Sequence, residues 1–330
     1  MDSQAAANST ARPASQPGAA GRPGGGPVAA DQPPIRGPRV HTLGIPLPPG
    51  RMPLVRDRRP LKRWRYVGVY TAELMLCAGE AHVGGLPQRW WALALPDGTL
   101  LERTTLSRGG VRLTPSRVSV DARAQGGPHV SIELELGETA PVEVVSPHGR
   151  SYIWTAKRAP VHVRGQVRIE AGPDAPEPRL FSFDGEHGFI DESAGYHARQ
   201  TAWRWSAGVG RTGDGRTVAW NLVDGVHDAP EASERTVWID GEPYEVEPQP
   251  FAGDLSRVGD LAFEPWAARE HSMSLGVVRS RYVQPFGTFS GTLPGAAPSR
   301  GAPPFGAIPH PATITLAEGY GVMEDHEVAW

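Results

Sequence analysis

Apolar and polar positions along the chain alternate in short runs, and the spacing of an amphipathic helix is almost absent. Tyr66 to Leu76 carries Val, Tyr and Thr at the density of a strand. Trp90 to Leu95 runs into Pro96-Asp97-Gly98 and out through Thr99 to Thr105. Asp-Gly between two such runs signals a hairpin, because both central residues of a type I′ turn need positive φ. The same device recurs at Asp214-Gly215 and Asp240-Gly241. Three hairpins of one kind favour antiparallel pairing. Only Asp254 to Asp260 offers a turn or two of helix, since Gly and Pro interrupt most longer windows.

Continued along the chain, the pattern places strands near 66–76, 90–95, 99–106, 111–113, 117–122, 130–136, 152–156 and 161–169. After a polar, Pro-containing link at 171–179 it places others near 199–209, 217–223, 235–239, 244–247, 261–266, 274–282, 286–293 and 314–324. About eight short strands per half suit an all-β protein, built as two up-and-down barrels or one curled, two-part antiparallel sheet. Residues 1–38 are Ala, Gly, Pro, Ser and Gln with almost no large apolar side chain. Such a segment cannot bury enough surface to offset its ordering entropy, so a disordered tail is expected. The expected division is therefore a tail over 1–38, an N-terminal β-domain over 39–170 and a C-terminal β-domain over 171–330.

The candidate chemistry lies in the second half. Phe183 to Glu192 reads as a Gly-punctuated loop bearing Asp184, Glu186, His187, Asp191 and Glu192. The strand after it puts His197, Arg199, Thr201, Trp203 and Trp205 on one face by the period-2 rule. Turned inward, Arg199 needs a carboxylate or a ligand, because an unpaired buried charge is too costly. The plainer account is that the indoles fill a barrel while Arg199 and His197 sit at a wet rim. In the last strand Glu318, Tyr320, Val322, Glu324 and His326 share a face, and Gly319 and Gly321 leave the other nearly bare. Bare strand positions mark close approach of a ligand, a ring or another backbone.

Composition narrows the classes. At 39% hydrophobic and 21% charged the chain is globular once the tail is set aside. A net charge of −3 gives no basic field, which argues against a nucleic-acid partner. The basic strap from Arg51 to Arg65 is read as a solvated edge rather than a lipid or phosphate site. Only Lys62 and Lys157 are lysines, a bias that reads as a GC-rich genome. Cys77 stands alone, so no intrachain disulfide or Cys-based metal cage is possible. His187 and His197 with Asp191 or Glu192 match no usual metal spacing, and no metal or other cofactor is expected. No nucleophile elbow, P-loop or dinucleotide fingerprint occurs. Without a signal-type apolar core or a run near the ~20 residues of a membrane span, the expected address is cytoplasmic.

Six segments carry a resemblance: KRWRYVGVYTAELML (62–76), GYHARQTAWRWSAGVG (195–210), VAWNLVDGVHD (218–228) with RTVWIDGE (235–242), QPFGTFSGTL (284–293) and EGYGVMEDHEVAW (318–330). Together they resemble the uncharacterised, mainly actinobacterial family known as domain of unknown function 2804, from about residue 40 onward. That family brings no assigned activity to carry over. More loosely, the architecture is similar to tandem lipocalin-like proteins, which include carotenoid hydratases. This implies two lipocalin-like barrels and an apolar, lipid or terpenoid-like ligand, with only an analogy's weight for function.

Three functions stay open at this point. A binding module would hold an apolar or amphipathic molecule between Trp203, Trp205, Trp220, Phe286 and Tyr320, oriented by Arg199 or His197. A cofactor-independent hydratase, isomerase or cyclase would use Glu318 or Glu324 as a protonated carboxylic acid, with His197 as a further catalytic candidate. A scaffold with filled barrels would have no cavity large enough for a ligand. The sequence does not set the oligomeric state.

Overall fold

A computed structural model describes residues 32–106, 109–172, 177–275, 278–295 and 313–329. Its strands form two large antiparallel sheets, and no α-helix occurs among the described residues. The first sheet runs in the order Leu100–Thr105, Leu86–Ala94, Met75–Val83, Lys62–Tyr70, Arg179–Gly195, Ser151–Ile169, His129–Leu136, Arg117–Arg123 and Val111–Thr114. Val142–His148 also pairs with Ser151–Ile169, and Ile35–Arg36 pairs with Val142–His148 from outside. The second sheet runs Glu242–Glu245, Thr236–Ile239, Thr217–Asp224, Gln200–Thr212, Thr313–Ala329, Val278–Pro294, Leu261–Leu275 and Arg257–Val258.

Each sheet curls around its own core. Val111, Val118 and Val120 from one edge of the first sheet pack with Leu76, Trp91 and Leu93 from the other. In the second, Val237 and Ile239 meet Leu261 and Phe263 in the same way. The two curled sheets then pack back to back, joining Tyr66, Met75 and Phe189 of the first to Trp205, Trp238 and Phe286 of the second. Central strands are therefore buried on both faces. In Lys62–Tyr70, Val67 and Val69 face the first core while Tyr66 and Tyr70 face the second sheet. Strands away from that contact alternate cleanly, as Arg117–Arg123 does with Val118, Val120 and Ala122 buried.

Several expectations need correction. The run 66–76 holds a turn rather than one strand: Thr71 accepts from and donates to Leu74, closing a hairpin between Lys62–Tyr70 and Met75–Val83. The expected pair 152–156/161–169 falls within one long paired segment, Ser151–Ile169, whereas the expected 274–282 straddles the ends of Leu261–Leu275 and Val278–Pro294, and 286–293 lies within the latter. Phe183 to Glu192 is no loop but part of Arg179–Gly195, which pairs on both sides in the first sheet. The chain thus passes from the first sheet to the second after Gly195, not at the 171–179 link. Asp254 to Asp260 forms turns and a short strand instead of helix. Residues 1–31 of the expected tail lie outside the described residues, but Ile35–Arg36, within the tail's expected bounds, is a paired strand.

All three Asp-Gly hairpins form. Only Asp240 and Gly241 both take positive φ, 51° and 87°, as a type I′ turn demands. At the other two, Gly98 and Gly215 alone do so, in three-residue loops closed by Leu95 N–H to Thr99 O and Thr212 N–H to Arg216 O. In the basic strap, Arg56 lies over the Tyr152 ring, Arg59 donates to the His148 carbonyl and Arg65 pairs with Glu192. No helix among the described residues is long and apolar enough to cross a membrane.

Candidate functional site

Two neighbouring strands of the second sheet set one wall of an internal cavity. Gln200–Thr212 and Thr313–Ala329 are in register with Trp203 opposite His326, Trp205 opposite Glu324, Ala207 opposite Val322 and Arg211 opposite Glu318. The period-2 rule then turns this whole row toward the first sheet. Its middle is apolar and packs into the contact between the sheets. At one end, Trp203, Trp205, Glu324 and His326 face a cavity of about 190 Å³ whose opposite wall includes Trp64, Tyr66 and Trp90. The cavity lies between the sheets rather than inside the curl of the C-terminal one.

Glu324 is one of three buried acids of this cavity, with Asp191 and Glu234, and is 8% exposed. The Trp203 indole donates to its Oε1 at 2.8 Å and the Gln284 amide to its Oε2 at 3.0 Å, and the Tyr282 hydroxyl also bonds it. Burial raises its pKa to about 7, although the Trp203 and Tyr282 donors favour the ionised form. Near neutrality this carboxyl therefore exists in both states. Aromatic rings frame it: Trp203 stacks parallel to Trp64 with centroids 6.3 Å apart, and the His326 ring sits 4.3 Å from Trp203. His326 Nε2 meets Ser280 Oγ at 2.9 Å, and burial lowers its pKa to about 4, so the imidazole is neutral.

A buried ion cluster lines another part. Lys157 Nζ lies 2.5 Å from Asp191 Oδ1 and 3.2 Å from Glu234 Oε1, with all three residues buried. Lys157 and Asp191 are cross-strand partners in the first sheet, whereas Glu234 precedes Thr236–Ile239 of the second. The cluster therefore bridges the sheets. Burial opposes the ammonium charge, but the two carboxylates outweigh it and hold Lys157 above its ordinary pKa. Trp64 Nε1 donates to Asp191 Oδ2 at 3.1 Å, linking the cluster to the indole wall. A second bridge joins buried Arg269 to Glu102 at 2.8 Å and to Thr104 at 3.2 Å.

Several polar atoms at the cavity have no hydrogen-bond partner within the protein: Trp90 Nε1, Thr155 Oγ1, His197 Nε2, His227 Nε2 and Glu234 Oε2. Burial holds His197 well below its ordinary pKa and lowers His227 to about 3, leaving both rings neutral. No group of three or more His, Cys, Asp or Glu among the described residues is arranged to hold a metal ion.

Of the residues expected from sequence, the cavity brings together His197, Trp203, Trp205 and Glu324. Arg199 is exposed and not part of the lining, because the strand starts at Gln200 and the preceding residues do not keep its alternation. Trp220 faces the other way, into the second sheet's core against Phe289. Phe286 is on the correct face but sits in the packed contact beyond the cavity. Glu318 is exposed beside Arg211, and Tyr320 lines a separate cleft of about 420 Å³ with Phe181 and His187. Sequence reasoning missed Trp64, Lys157, Glu234 and His227. The one legible signal was the rarity of lysine: the chain has only Lys62 and Lys157, and the structure buries both.

Two curled antiparallel sheets packed back to back around a mainly apolar cavity define the class. The chain belongs to the family described as domain of unknown function DUF2804, whose model matches residues 93–299. No curated protein matches the chain significantly. Among solved structures, kievitone hydratase from Nectria haematococca aligns at 7% identity with a TM-score of 0.41, covering 82% of this chain and 88% of that one. CghA with Sch210972 aligns at 9% identity and a TM-score of 0.41, covering 81% and 89%. A protein from Nitrosomonas europaea designated AttH aligns at 12% identity and a TM-score of 0.39, covering 85% and 98%.

Proposed function

We propose that this chain binds a largely apolar small molecule with a polar end in the cavity between its two sheets. One observation carries the reading: several residues that line a space walled by indoles each carry a buried polar atom without a protein partner. A merely structural core satisfies its buried polar groups or does without them. A ligand pocket instead combines apolar walls with a few convergent polar groups. A scaffold with filled barrels has no use for such a space. Extraction and mass spectrometry of the protein purified from its own source tests this. A stoichiometric small molecule of mainly apolar character supports binding, and repeated recovery of protein without one counts against it.

A second reading follows from Glu324. A carboxyl raised to about 7 and aimed into an indole-walled cavity is suited to give a proton to an alkene or carbonyl. The faces of Trp64 and Trp203 would then steady a developing cation by roughly 0.5–2 kcal/mol per contact. This makes the chain a hydratase, isomerase or cyclase needing no cofactor. Turnover of the extracted ligand, abolished by Glu324→Gln with the ligand still bound, separates it from binding alone.

A further inference from the structure

We infer that the cavity selects a molecule whose polar end donates hydrogen bonds, a hydroxyl or an ammonium, and turns anions away. This deepens the binding reading above and rests on it. The selectivity is set by the ion cluster rather than by the indole walls. Lys157 is the cation of that cluster, and it already faces two carboxylates, Asp191 and Glu234. One ammonium between two carboxylates leaves an acceptor surplus on the cavity side. The surplus has an address: Glu234 is 2% exposed, its Oε1 faces Lys157, and its Oε2 has no partner in the protein.

The neighbours add to it. His197, 2% exposed, presents an unpartnered Nε2 in an uncharged ring, and a neutral imidazole carries one acceptor nitrogen. Thr155, 1% exposed, has a hydroxyl that can accept or donate. Trp90 Nε1 is a donor only. Arg269, the other cation of the lining, is committed to Glu102 and Thr104. A ligand carboxylate or phosphate would therefore meet carboxylate oxygens with no free cation among the described lining residues. A hydroxyl matches: it donates to Glu234 or an imidazole and accepts from Thr155 or Trp90. The rest of such a molecule lies against Trp64, Trp203 and Val223. About 150 Å³ of apolar space holds benzene, so this cavity of about 190 Å³ admits a phenyl ring with a short arm.

The test is calorimetric titration of the full chain at neutral pH with four matched probes: 4-phenyl-1-butanol, butylbenzene, 4-phenylbutanoate and 4-phenylbutylammonium. The inference expects the alcohol to bind about ten-fold tighter than the hydrocarbon, with the carboxylate weakest. It also expects Thr155→Val to cut alcohol affinity by about ten-fold while leaving butylbenzene unchanged. Equal binding of alcohol and hydrocarbon would overturn the inference while leaving the cavity as a binding site. A preference for the carboxylate would overturn it as well, whereas ammonium binding as tight as the alcohol's or tighter agrees with it. Failure of all four probes to bind would reach further and overturn the binding reading itself.

Discussion

The Trp203 indole donates to Glu324 Oε1 across two neighbouring strands, on the diagonal from its register partner His326. That bond fixes an indole wall and an acid in one geometry. It also sets how readily the acid releases its proton, because a donor to the ionised form favours that form.

Trp203→Phe should therefore raise the Glu324 midpoint above its value of about 7. A carbon-13 NMR titration of labelled glutamate carboxyls, with Glu324→Gln to assign the signal, measures it. The same shift bears on stability. Folded Glu324 keeps a proton that the unfolded chain, at about 4.5, has released. Its stabilising contribution is full below about 4.5 and is lost as pH rises through about 7, so Glu324→Gln should lose less stability across that window.

His326 acts with the opposite sign. Burial lowers it from 6.5 to about 4, so its contribution is full above 6.5 and disappears as pH falls through 4. His326→Gln should make the urea midpoint fall less steeply between pH 6.5 and 4 than in the unmodified protein.

Lys157→Met leaves Asp191 and Glu234 facing each other in a buried site. Breaking a buried ion cluster from one side costs about 3–5 kcal/mol, readable by urea denaturation. Adding Asp191→Asn and Glu234→Gln to Lys157→Met should recover most of that loss, because no uncompensated charge then remains.

Gly208 and Gly321 are register partners whose missing side chains let the strands and the Trp220 ring close up. A Cβ at Gly208 would stand 2.2 Å from the Trp220 ring and 2.6 Å from the Tyr320 carbonyl oxygen. Gly208→Ala should cost about 1–3 kcal/mol as an overpacked site, again read from denaturation.

The bare glycine face of the last strand announced this close approach in the sequence, and so did the shared face of Glu324 and His326. Period-2 alternation needs nothing beyond a strand to be true, which is why Trp203 and Trp205 were also placed together. What it could not supply was the partner surface. Phe183 to Glu192 hid as a loop because this polar, Gly-rich stretch is part of a central strand with cross-strand ion pairs, such as Arg158 with Glu192. Trp220 resembled a wall residue until pairing showed its side of the sheet. Lys157, Glu234 and His227 come together only through contact between the two sheets, at sequence separations no local pattern encodes. Arg199 shows the limit from the other direction: one residue outside the strand, parity no longer applies.

The central claim is that the space beside Trp203 and Glu324 is where a ligand sits. A crystal structure of the full chain with 4-phenyl-1-butanol tests it most directly. The account predicts the phenyl ring between the Trp64 and Trp203 walls and the hydroxyl within hydrogen-bond reach of Glu234 or Thr155. Ordered probe only in the outer cleft beside Tyr320 and His187, or only on the surface, would contradict it.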